Sequence, residues 1–171
     1  MKHSIFLLVL FLVVILGCEN PIPRQEEIVV EPKHQVTTQT PRLDSLTKSR
    51  KVYVPVYSNI YQRNRNERTS LTSTLSIHNT SETDTLFITR IDYFNTEGEL
   101  VKKYLKSPIY LTTFQTIEYV VDEDDDSGGS GANFVIEWYG DKKLNPLFQA
   151  IMIGGLGNKS FSFSTEGVYF E

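Results

Sequence analysis

From Lys51 onward no stretch keeps the 3.6-residue hydrophobic period of an amphipathic helix. Short runs alternate apolar and polar residues and are cut by turn residues instead. In TSLTSTLSIHN (69–79), Leu71, Ser73, Leu75 and Ile77 fall on one side, with Thr72, Thr74, Ser76 and His78 on the other. That is the period of two of a half-buried strand. KVYVPVY (51–57) gives a first strand, and its Pro55, lacking a donor, suits an edge or a bulge. Val52, Val54 and Val56 share one face there and Tyr53 and Tyr57 the other; periodicity leaves open which faces solvent. TLFITRIDYF (85–94) and ELVKKYL (99–105) flank Asn95-Thr96-Glu97-Gly98, a hairpin turn ending in glycine. FQTIEYVV (114–121), NFVIEWY (133–139), LFQAIMI (147–153) and SFSFS (160–164) complete the set. Seven or eight strands at this spacing predict an antiparallel β-sandwich of immunoglobulin-like type over 51–171. A small β-barrel is the alternative. Trp138 alternates with Phe134 and Ile136, which places it in the core.

The amino terminus has a different texture. Lys2 precedes Ile5 to Leu16, a run of apolar residues too short as a helix to cross the ~30 Å hydrocarbon core of a bilayer. It reads as the apolar region of a signal peptide over 1–17. The run ends in Ile15-Leu16-Gly17-Cys18, which resembles a bacterial lipobox. That resemblance implies lipidation of Cys18, with palmitate among the acyl chains, and cleavage after Gly17. Several acyl chains at ~0.8 kcal/mol per buried CH₂ form a firm anchor. The expected address is the bacterial cell envelope, facing the periplasm or the cell surface. Residues 19–50 hold Pro21, Pro23, Pro32 and Pro41 and no aromatic residue, so 18–50 reads as a lipid-anchored flexible stalk.

Composition excludes several functions. The net charge of −4 over 171 residues argues against a nucleic-acid partner. One cysteine permits no disulfide within the chain, and past the stalk a single histidine, His78, leaves zinc without ligands. His78 lies on the outer face of its strand, and no serine occupies a nucleophile-elbow context, so no catalytic residue is assigned.

VYVPVYSNIY followed by LTSTLSIHNTS, then GGSGANFVIEWY with AIMIG and SFS, resemble a bacterial family catalogued as domain of unknown function 3124. The resemblance spans about residues 51–165 and implies an exported, often lipid-anchored β domain. It brings no activity and no catalytic residue.

The densest polar segment is DEDDDSGGSGANFVIEW (122–138). Asp122, Asp124 and Asp126 alternate as calcium ligands do, although Ser127 and Asn133 stand where an EF-hand loop needs glycine and glutamate. Either an irregular Ca²⁺ site or a solvated acidic hairpin fits that pattern. Gly129-x-Gly131 precedes a strand and follows five acids, which argues against a phosphate cradle. Gly128, Gly129 and Gly131 are expected to let a hairpin connection turn tightly. Arg63, Arg65 and Arg68 in QRNRNER form a candidate binding loop for carboxylate or phosphate groups.

With each strand crossing its sheet once, loops 62–68, 95–98, 122–132 and 154–159 share one end. An additional strand within 106–113 would reverse that parity. The acids are then expected to pair in part with Arg63, Arg65 or Arg68. Together these features predict a cell-envelope lipoprotein with a non-catalytic binding or interaction domain, whose partner is an envelope protein or glycan. The alternative is a hydrolase that relies on carboxylates.

Overall fold

The structure is a computed structural model and describes residues 35–36 and 47–171. The expected signal peptide, Cys18 and all of the expected stalk except 35–36 and 47–50 lie outside the described residues.

Among the described residues, twelve strands form two antiparallel sheets, packed as a β-sandwich that does not close into a barrel. They are β1 Gln35–Val36, β2 Thr47–Pro55, β3 Asn59–Tyr61, β4 Arg68–His78, β5 Leu86–Phe94 and β6 Leu100–Lys103. The others are β7 Ile109–Leu111, β8 Thr116–Val121, β9 Asn133–Asp141, β10 Leu147–Leu156, β11 Lys159–Glu166 and β12 Val168–Phe170. The first sheet has the order β1-β7-β5-β9-β2-β12, with β6 also on β5. The second has the order β11-β10-β4-β3, with β8 also on β4. All eight expected strands are present, and four further ones, β1, β3, β7 and β12, have only two or three residues each. The first long strand begins at Thr47, four residues before the expected boundary at Lys51.

The alternation does what it predicts. Val52, Val54 and Val56 from β2 and its exit face inward with Phe134, Ile136 and Trp138 of β9. Leu71, Leu75 and Ile77 of β4 meet them from the other sheet. Each such side chain contributes about 1.5–3 kcal/mol by leaving water. Tyr53 is therefore the solvent-facing partner, while Tyr57, past the end of β2, covers Phe163 with ring centroids 5.8 Å apart. Trp138 is 1% exposed, beside the rings of Phe148 and Tyr169.

The added strand β7 leaves the parity of the loops intact. β6 pairs with the Asp92–Phe94 end of β5 and β7 with the Leu86–Ile88 end, along the same edge and in the same direction. They are one crossing of the sheet, interrupted by residues 104–108. β3 and β8 similarly share one edge of β4.

Candidate functional site

The strand registers gather the loops 62–67, 95–99, 122–132 and 157–158 at one end. Arg68 of β4 opposes Tyr61, Val121 of β8 opposes Ser73, Gly154 opposes Leu71, and Phe94 opposes Asn133. The acidic loop is not a hairpin, however. It leaves β8 in the second sheet and enters β9 in the first, so it arches across the top of the core. In the first sheet β9 lies between β5 and β2, while β8 lies on β4 in the second.

The glycine half of that loop is fixed from below. Gly128 O accepts from Thr96 N (2.9 Å) and Thr96 Oγ1 (3.0 Å), and Gly131 N donates to Thr96 Oγ1 (3.0 Å). Gly129 O accepts from Ser58 N at 3.0 Å, and a short 3₁₀ turn spans Gly129–Gly131. Under Gly128 the buried hydroxyls of Ser58 and Tyr93 lie 2.7 Å apart. A Cβ on Gly128 would stand 1.8 Å from the Tyr93 hydroxyl, so the backbone reaches this position only without a side chain. Gly129 takes φ +71°, the left-handed region that favours glycine. These glycines cap the core, with their carbonyls and amides turned to the protein.

The acidic half is exposed throughout 122–127. Asp125 N donates to Asp122 O (3.0 Å), and the Asp125 carboxylate accepts from Ser127 N (3.1 Å) and Ser127 Oγ (2.5 Å). Among the described residues no group of three or more His, Asp or Glu side chains is placed to hold a metal ion. The Ca²⁺ reading of Asp122, Asp124 and Asp126 therefore has no assembled ligand set. The turn spends the Asp125 carboxylate on Ser127 and leaves its neighbours spread in water.

Burial lifts the Tyr93 hydroxyl above its ordinary value near 10; the bond to Ser58 pulls the other way, and Asp125 adds to the rise. Tyr104 is raised further, first by burial and then by Tyr93, Asp125 and Asp122. Tyr119, in edge contact with Tyr104 at 4.9 Å, is raised by burial and by Tyr104. Tyr93 and Tyr104 thus feel the charge of the acidic loop above them.

Arg63 and Arg65 stand on the exposed β3–β4 hairpin. Arg68 lies flat on Tyr61, with its guanidinium carbon 4.6 Å from the ring centroid, and donates to Tyr61 OH (2.8 Å) and Asn59 Oδ1 (3.2 Å). The expected pairing of these arginines with the acidic loop is not formed. Among the described residues the ion pairs are both made by Arg90, to Asp92 (2.7 Å) and Glu137 (3.0 Å). Both loops lie at one end, yet Arg68 is already satisfied on its own hairpin.

Three features escaped the sequence reading. On the outer face of the first sheet, Arg90 joins Asp92, 6% exposed, to Glu137 across the β5–β9 ladder. Burial lowers the pKa of Arg90, and the two carboxylates more than offset it, so the net shift is upward. The opposite charges two residues apart in TRID were the available signal. Beside Glu137, where β12 ends, an open groove of about 520 Å³ is lined by Arg50, Lys51, Tyr169, Phe170 and Glu171 among others. At the far end of the sandwich, the buried Asn79 amide donates to the carbonyls of Asp84 (2.8 Å), Leu111 (3.1 Å) and Thr112 (2.9 Å). Its Oδ1 accepts from Ser81 N at 3.1 Å. Only its place just past a strand, before Thr80 and Ser81, hinted at that role.

A solved structure, the crystal structure of Thermotoga maritima 1070, is similar to this chain, with a TM-score of 0.43 and 15% identity. It covers 70% of this chain and 92% of its own. No curated protein matches the sequence. A family model described as "Protein of unknown function (DUF3124)" matches residues 49–170, which takes in most of β2 and the strands from β3 to β12, and the chain belongs to that family.

Proposed function

We propose that this chain is a lipid-anchored protein of the bacterial cell envelope whose sandwich is a non-catalytic interaction domain. The observation that carries the binding role is the crowding of unpaired charge at one end of a rigid double sheet. Arg63 and Arg65 on one hairpin and the five acids of 122–126 on the arch project into water without ion pairs to each other. Loops held by a rigid scaffold, with side chains uncommitted to the fold, are where recognition concentrates. Two signs of charge on adjacent loops suit a polar partner, an envelope protein or a glycan, and disfavour a polyanion. The anchor rests on Lys2, the apolar run 5–16 and Cys18.

The hydrolase reading would draw on Glu137 and Glu171 at the groove. Glu137 is already engaged by Arg90 at 3.0 Å. The test has two arms. Cys18→Ser should abolish palmitate labelling and release the chain from membranes; retention would refute the anchor. Replacing Arg63 and Arg65 by serine, and separately Asp124 and Asp126 by asparagine, should remove a partner captured by cross-linking in intact cells. A partner kept by both variants would refute the loop-end assignment.

A further inference from the structure

The two sheets have unequal edges. In the first sheet the edge strands are short: β12 has three residues, β6 and β7 four and three, and β1 two. Lys102 and Lys103 guard β6, and Pro108 interrupts the edge before β7. In the second sheet β3 has three residues, and the six of β8 run directly into five acids. These are the devices that keep an edge from pairing with another chain. β11 has only a charge at each end. It is eight residues long, pairs with β10 in unbroken register from Lys159 to Glu166, and contains no proline and no charge between those two ends. Every second residue of such a strand turns its N–H and C=O to the open side. Among the described residues nothing pairs there.

We infer that β11 is a docking edge for a second copy of this chain, joined antiparallel so that the two five-stranded sheets become continuous. The strand is self-complementary in that sense. A two-fold axis at Ser162 sets Ser160 opposite the second copy's Ser164, and Phe161 opposite its Phe163. The half-buried phenylalanines then stay on the core side and the exposed serines on the outer side. Lys159 comes to the same end of the pair as the second copy's Glu166, whereas parallel pairing would set lysine by lysine and glutamate by glutamate.

The test uses the full chain with Cys18→Ser, so that an introduced thiol stands alone. Ser162→Cys, at the axis, should give a reducible dimer on mild oxidation. Thr116→Cys on β8, equally exposed but on the opposite flank, should stay monomeric. Adding Ser160→Lys and Ser164→Lys to the Ser162→Cys chain should reduce the dimer several-fold, with circular dichroism showing the sheets retained. Sedimentation of the Cys18→Ser chain should give twice the monomer mass. A monomeric Ser162→Cys chain, or cross-linking equal to that of Thr116→Cys, would overturn the inference.

Discussion

The two ends of the sandwich solve different problems. At the far end three connections, 79–85, 112–115 and 142–146, each pass from one sheet to the other. They are tied together by Asn79, by Thr80 Oγ1 donating to Asn145 O at 2.8 Å, and by Leu144, 3% exposed against Gly140. At the loop end three of the connections, 62–67, 95–99 and 157–158, are hairpins within a sheet, and one arch, 122–132, crosses over. Thr96 of the 95–99 hairpin holds the arch, whereas the tips of 62–67 and 157–158 bear no inter-sheet load. The difference shows why charge collects at one end: there the fold needs only the base of the β3–β4 hairpin and the glycine half of the arch, and Arg63, Arg65 and the acids are left for other use.

Asn79→Leu should break this contrast most severely. It strands the carbonyls of Asp84, Leu111 and Thr112 and the amide of Ser81, and should cost on the order of 3 kcal/mol in denaturant unfolding. A loss below ~1 kcal/mol would mean that water replaces the amide and the far end is not stapled. Gly128→Ala tests the arch at the other end and should cost about 2 kcal/mol through overpacking. Because the closest clash is with the Tyr93 hydroxyl, while Ser58 Oγ and Tyr93 Cζ stand at 2.7 Å, the cost should shrink in part in a Tyr93→Phe background; strict additivity would place the strain elsewhere.

Alkaline pH should separate the ends further. Tyr93, Tyr104 and Tyr119 near the loop end have folded values above the ordinary value near 10, and burial pushes Tyr139 up to about 12. Their contribution is complete below pH ~10 and is lost as pH climbs through the folded values. Hydrogen exchange above pH 10 should open the backbone around Gly128 before that around Asn79; the reverse order would contradict the clustering. The smallest effect belongs to the tips. Asp124→Asn with Asp126→Asn should move stability by less than ~0.5 kcal/mol, since both are exposed and unpaired in ion bridges.

The long strands were legible because four or more residues of alternation leave little freedom in assignment: Leu71, Leu75 and Ile77 name their own face. β3, β7 and β12, at three residues, carry too little pattern to register and are held by their neighbours on an edge. The gathering of four loops at one end followed from counting crossings, and it survived β7 because β6 and β7 run the same way along β5. The arch was missed, since its acids and glycines look alike whether the next strand returns beside β8 or joins the other sheet. The pairing of arginine with acid was also missed. Proximity of loops says nothing of competing partners, and Tyr61 and Asn59 already hold Arg68. Asn79 works through carbonyls up to 33 residues away, which no local pattern encodes.

Gly167 carries a consequence for timing. It bonds through its N–H to Phe148 O at 2.9 Å and turns the chain from β11 in one sheet to β12 in the other. β12 then completes a ladder with Lys51–Tyr53, more than a hundred residues earlier. Contacts of such long range form slowly, because the intervening loop must close before they reward it. As the polypeptide is synthesised, β2 has β9 available on one side but waits for Val168–Phe170 on the other. The β2 edge of the first sheet is therefore completed only after residue 170 has emerged.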